Sequence, residues 1–216
     1  MQLRNVLLVA LVCAMAAFAQ NPITADSQFQ VSYAANPSAG ESYINLINTG
    51  ANGAALLGPG FGVATGNTCV NVYAFSPDEQ LISCCSCLLT PNAVANLGVN
   101  RDLTVKTLTG VIPTSVVVKL VNTLAGPTGT ATSCTNSASA AGGAGFPLAN
   151  GLVAYGTTPQ PIGTTFNVVE HTFVPSTLSA GELASITGRC ASIIGNASGF
   201  GICLSCRAGA LGGIKK

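Results

Sequence analysis

The cysteines are the residues of this chain best placed to do chemistry. Cys84, Cys85 and Cys87 fall within four positions, and Cys203 and Cys206 form a second C-x-x-C. Cys69, Cys134 and Cys190 complete the set outside the N-terminal segment. Three chemistries use such spacing. Thiolates from Cys84, Cys87, Cys203 and Cys206 have the two-knuckle arrangement of a tetrahedral zinc site. A C-x-x-C at a helix N-terminus exchanges thiols, because the helix end stabilises the thiolate. In an oxidising compartment the same residues pair as disulfides. Here the first motif sits in a strand-like run and the second follows a glycine-rich turn, which argues against redox exchange.

Compartment therefore decides between zinc and disulfides. Met1 to Ala19 reads as a secretory signal peptide, with Arg4 as its positive start and an uncharged apolar stretch from Val6 to Phe18. That stretch is too short to span a bilayer comfortably. Ala17-Phe18-Ala19 is an A-x-A cleavage signal, which makes Gln20 the first mature residue. Cleavage removes Arg4 and Cys13, leaving eight cysteines and seven basic against seven acidic side chains. An even cysteine count in an exported chain favours disulfides among Cys69, Cys84, Cys85, Cys87, Cys134, Cys190, Cys203 and Cys206. The zinc reading stays as the alternative.

Other catalytic chemistry has little to work with. His171 is the chain's one histidine and lies on a predicted strand beside Glu170. No G-x-S-x-G elbow is present, and only seven acids are available for a carboxylate pair. Asp78-Glu79 falls in a predicted turn, and Gly58 to Gly62 lacks the Lys and following helix of a phosphate loop. Charged residues make up 7% of the chain, against about 25% in an ordinary domain. No basic cluster larger than Lys215-Lys216 suggests a nucleic-acid surface, and no cofactor is implied.

The elements that would position these residues are short strands. Gln28–Tyr33 and Ser42–Thr49 alternate apolar and polar residues. Cys69–Phe75 and Leu81–Leu89 read as a hairpin closed by Ser76-Pro77-Asp78-Glu79, a type I turn with Pro77 at its second position. Asp102–Thr109 and Thr114–Asn122 read as another hairpin. Leu152–Tyr155 and Thr164–Val174 supply further strands. Residues 130–146, rich in Ser, Ala and Gly, read as a surface loop stapled by Cys134. Ser179-Ala180-Gly181-Glu182 is a capping box opening a helix over 179–195, with Leu183, Ile186, Cys190 and Ile193 on one stripe. The fold expected is mainly β: an antiparallel sandwich, immunoglobulin-like or jelly-roll-like, forming one domain over 20–216 with that helix packed on it.

On a strand, Cys85 and Cys87 face one side and Cys84 the other. If facing pairs in the hairpin sum to 155 or 156, Cys69 lies opposite Ser86 or Cys87, so a Cys69–Cys87 bond is expected. At least one of Cys190, Cys203 and Cys206 should return to Cys84 or Cys85, locking the helix to the sheet. Each bond is worth roughly 2–4 kcal/mol.

Three stretches carry a resemblance: Cys69 to Cys87 (CVNVYAFSPDEQLISCCSC), Pro113 to Leu120 (PTSVVVKL) and Gly199 to Cys206 (GFGICLSC). They resemble an uncharacterised family of exported, cysteine-rich proteins found in acidobacterial genomes. The resemblance implies bacterial export and assigns no catalytic or binding residue. Taken together, the residues point to a secreted or cell-surface structural or interaction protein without catalysis. Its expected partners are a second copy or a surface glycan or protein, and no membrane span remains after cleavage. A small-molecule or carbohydrate-binding sandwich is the alternative from another class.

Overall fold

The computed structural model describes residues 27–57, 63–204 and 206–208. The expected signal segment with its Ala19/Gln20 cleavage site, and the Gly58–Gly62 loop, lie outside the described residues. Ten strands are described: β1 (Phe29–Ala35), β2 (Tyr43–Asn48), β3 (Thr68–Phe75), β4 (Leu81–Leu89), β5 (Val94–Gly98), β6 (Ser115–Leu124), β7 (Leu152–Ile162), β8 (Thr165–Thr172), β9 (Val174–Pro175) and β10 (Arg207–Ala208). One helix, α1 (Ala180–Gly195), follows β9. The strands form two five-stranded sheets, ordered β4-β3-β6-β1-β9 and β10-β5-β2-β7-β8. All neighbours are antiparallel.

The sandwich core follows from period-two alternation. Val70, Val72 and Ala74 of β3 and Val116, Val118 and Leu120 of β6 meet Ile44, Leu46, Ala95, Leu97 and Ala154 from the other sheet. The opposite face of the first sheet is also apolar. Tyr73, Phe75, Leu81, Cys84 and Val121 pack there against Ile186, Cys190 and Ile193 of α1 and Ala138 and Ala141 of the loop after β6. Strand β3 is consequently buried along its whole length, and its one central polar residue, Asn71, is satisfied by bonds to the Cys69 and Val121 carbonyls and to Thr123. The molecule is thus three layers deep at this point: sheet, sheet, and helix with loop.

The predicted capping box forms in part. Ser179 Oγ accepts from the Glu182 amide at 3.1 Å, while the Glu182 carboxylate pairs with Lys119 of β6 instead of returning to the first turn. Lys119 also sits 4.8 Å above the Phe75 ring. Residues 130–146 are not a free surface loop. Ser137, Ala138 and Ala141 are buried, because their small side chains let the backbone approach β3 and α1 closely. Tyr73 Oη donates to the Ala138 carbonyl at 2.6 Å and fixes that approach.

Burial pushes the Tyr73 phenol above its ordinary range. The neutral form is the one the fold favours, so its contribution is complete below about pH 10, the unfolded value, and is lost as pH rises further. Alkaline denaturation monitored by circular dichroism should therefore begin above about pH 10. Tyr73→Phe should cost about 1 kcal/mol at neutral pH and flatten that alkaline limb.

Two sequence expectations fail here. Asp102–Thr109 is not a strand. The strand is β5, and it ends in a π-helical turn over Val99–Leu103, closed by Thr104 N donating to Val99 O at 2.9 Å. The Asp102 carboxylate drives this, because its Oδ2 accepts from Gly98 N at 2.7 Å and from Arg101 at 2.6 and 2.9 Å. Glu41 adds to the lock by accepting from the amides of Asn100 and Arg101. β6 therefore pairs with β3 and β1 and has no hairpin partner before it.

The chain also closes both sides of the sandwich. On one side Phe173 N donates to Ala154 O of β7, and the next residue, Val174, pairs with Val31 of β1, so the chain passes from one sheet to the other. On the other side Ile202 bridges Cys84 of β4, and Arg207 and Ala208 pair with Asn96 and Ala95 of β5.

Candidate functional site

The eight cysteines form four disulfides: Cys69–Cys134, Cys84–Cys190, Cys85–Cys203 and Cys87–Cys206. Alternation on β4 sorts them. Cys84 faces outward to α1, while Cys85 and Cys87 face the core side and the tail. The expected return of at least one C-terminal cysteine to Cys84 or Cys85 is present twice, as Cys84–Cys190 and Cys85–Cys203. The expected Cys69–Cys87 bond is not. Near the turn Phe75 pairs with Leu81, a sum of 156, but Ala74 pairs with Ser83, leaving Ile82 as an extra residue. This bulge moves Cys69 opposite Leu88 and Cys87 opposite Val70. A one-residue slip reverses faces, so Cys69 meets Cys134 under the loop and Cys87 meets the tail. The same alternation separates the four thiols of the zinc alternative. Cys84 is bonded to Cys190 across the sheet from Cys87, Cys203 and Cys206, so the two C-x-x-C pairs do not converge.

One pairing of reactive side chains was not legible in the sequence. His171 of β8 lies across from Gly156 of β7 and reaches Ser32 of β1, with Nε2 and Oγ 2.9 Å apart. The contact spans the two sheets. It depends on Gly156, where an added Cβ would lie 2.5 Å from Nε2 and 2.9 Å from Cε1. A hydroxyl beside an imidazole is the geometry of an activated nucleophile. The neighbouring cavity, of about 10 Å³, is lined by Ser32, Ser42, Thr157 and Phe173 and matches about one water. Ser42 Oγ, buried there, has no protein partner among the described residues. Glu170 directs its side chain to the other face of β8 and does not orient the ring.

Gly156→Ala is expected to swing the imidazole away and cost about 1–2 kcal/mol through loss of the inter-sheet bond. A double-mutant cycle with His171→Ala, read by urea denaturation, should show the two losses to be largely redundant.

Asp78 and Glu79 stand in the exposed turn as expected, and Glu79 N donates to Ser76 O at 3.0 Å, closing the type I turn. They border a groove of about 550 Å³ with Leu108, Arg189, Ile193 and Asn196. A second groove, about 540 Å³, lies beside Phe29, Leu148, Pro175 and Leu178. Neither lining offers an exposed aromatic platform for a sugar ring.

Among the described residues no helix is long and apolar enough to cross a membrane. Comparison with protein-family models, curated proteins and solved structures finds no match for the chain.

Proposed function

We propose that this is an exported, non-catalytic structural or interaction protein of the extracellular space or cell surface. The observation that carries the reading is the placement of the four disulfides. They tie the 130–146 loop, α1 and the C-terminal tail onto the single hairpin β3–β4. Such a set persists where thiols are kept oxidised, so the design suits a domain that must hold its shape without cellular maintenance. Charged residues make up only 7% of the chain, and near-zero net charge promotes association. The bacterial source implied by the sequence resemblance accords with this reading.

The test is intact mass of the protein recovered from the exported fraction. The expected product begins at Gln20 and gains about 8 Da on reduction, two hydrogens for each bond. Free thiols in the native protein, or a zinc adduct under native ionisation, would overturn the disulfide basis. Retention of the product inside the cell would overturn export.

A further inference from the structure

The hairpin β7–β8 runs past the end of the sheet that carries it. β7 pairs with β2 only from Leu152 to Gly156, whereas its pairing with β8 continues to Ile162. Beyond Gly156 the hairpin is therefore a two-stranded arm with two outer edges, and they are built differently. The β7 edge contains Pro159 and Pro161. The Pro159 carbonyl points away from β8, since it accepts from Asn36 Nδ2 at 3.4 Å. Proline in an edge strand, with its missing amide turned outward, stops another strand from adding there.

The β8 edge has no such guard. In an antiparallel pair, residues directly opposite either face each other with both backbone groups or both turn away. Val168 is opposite Pro159, Phe166 opposite Pro161 and Glu170 opposite Thr157. The amides and carbonyls of Phe166, Val168 and Glu170 therefore point out along the free edge. Two of these three residues carry exposed apolar side chains: Phe166 is 50% and Val168 57% accessible. Glu170 is the one charge in the strand.

We infer that the β8 edge pairs with the β8 edge of a second copy, about a two-fold axis at Val168. The strand is its own complement in that arrangement. Val168 exchanges two hydrogen bonds with its counterpart, and Phe166 and Glu170 exchange two more pairs, one on each side. The two Glu170 side chains lie four residues apart, about 13 Å, beyond the screening length at physiological salt. The two sheets join into one sheet of ten strands. Pro159 and Pro161 on the far edge of each arm end the addition, so the assembly closes as an isologous dimer and does not grow into a fibre. This rests on the reading of the chain as an association module and names its partner and surface.

The test is sedimentation velocity on the full oxidised chain from micromolar to about millimolar concentration, a range suited to a small interface. Wild type should pass from monomer to dimer and no further. Val168→Pro removes an amide that bonds nothing among the described residues of one copy, so the monomer should melt unchanged while association weakens at least tenfold. Val168→Lys, which places like charges on the axis, should act in the same direction if the proline variant folds poorly. Hydrogen exchange at 166, 168 and 170 should slow with concentration in wild type alone. A dimer equally strong in both variants would leave association standing and remove β8 from it. A wild type monomeric throughout would overturn the self-pairing, while the mass test of export and disulfides keeps its own answer. Polymers would overturn the closure.

Discussion

Replacing Cys84 and Cys190 together by serine should destabilise the protein by about 4 kcal/mol, and the loss should be seen first at the helix. The bond closes a loop of 106 residues, long enough for the chain-entropy model to give about 4–5 kcal/mol. It also sits in the middle of the α1 contact. The helix buries only Ile186, Cys190 and Ile193 fully, and its interior Gly181 and Gly188 weaken it as a helix on its own. Guanidinium denaturation should show the lower midpoint. Hydrogen exchange should show α1 and the 137–141 segment opening below the global transition. Equal protection of α1 in the variant would mean that its apolar stripe, with Lys119–Glu182, suffices without the bond.

Asn48→Ala is expected to cost about 3–5 kcal/mol, more than most single substitutions. Asn48 is wholly buried at the end of β2. Its Nδ2 donates to the carbonyls of Gly66 and Leu89, both at 2.9 Å, and its Oδ1 accepts from Gly50 N at 2.9 Å. One side chain thus joins the turn after β2, the entry to β3 and the end of β4. Alanine would leave the buried carbonyls of Gly66 and Leu89 and the half-buried Gly50 amide without this partner. Gly66 makes the site tighter still. Its φ is +70°, and a Cβ there would lie 1.8 Å from the Gly53 carbonyl oxygen. Urea denaturation of the oxidised variant measures the loss. A loss under 1 kcal/mol for Asn48→Ala would show that water reaches the site.

The parts of this fold that sequence reveals are those set by neighbours in the chain. Pro77 and the alternation on either side of it specify the β3–β4 hairpin. Ser179 and the stripe of Ile186, Cys190 and Ile193 specify α1 and the face it buries. Cys84 and Cys85 point in opposite directions because adjacent strand residues must. Long-range detail is less accessible. The bulge at Ile82 has no residue signature, yet it decides which cysteine faces which partner. β5 lacks a β-branched run, since Ala95, Asn96 and Gly98 interrupt it, and the pattern before Asp102 therefore conceals a strand. The Ser32–His171 contact joins residues 139 apart and depends on the absence of a side chain at Gly156. No local pattern encodes such a contact.

The arrangement of the disulfides also bears on how the protein is made. A ribosome delivers Cys84, Cys85 and Cys87 more than a hundred residues before Cys190, Cys203 and Cys206. At about 5–20 residues per second the wait is several seconds to some tens of seconds. Only Cys69 and Cys134, 65 residues apart, can complete a native bond in that interval. Three neighbouring thiols meanwhile sit beside one another with no correct partner available, and any bond they form must later be undone. The native set can be completed only after Cys203 and Cys206 have been made, and any bond formed among the three before then must be exchanged.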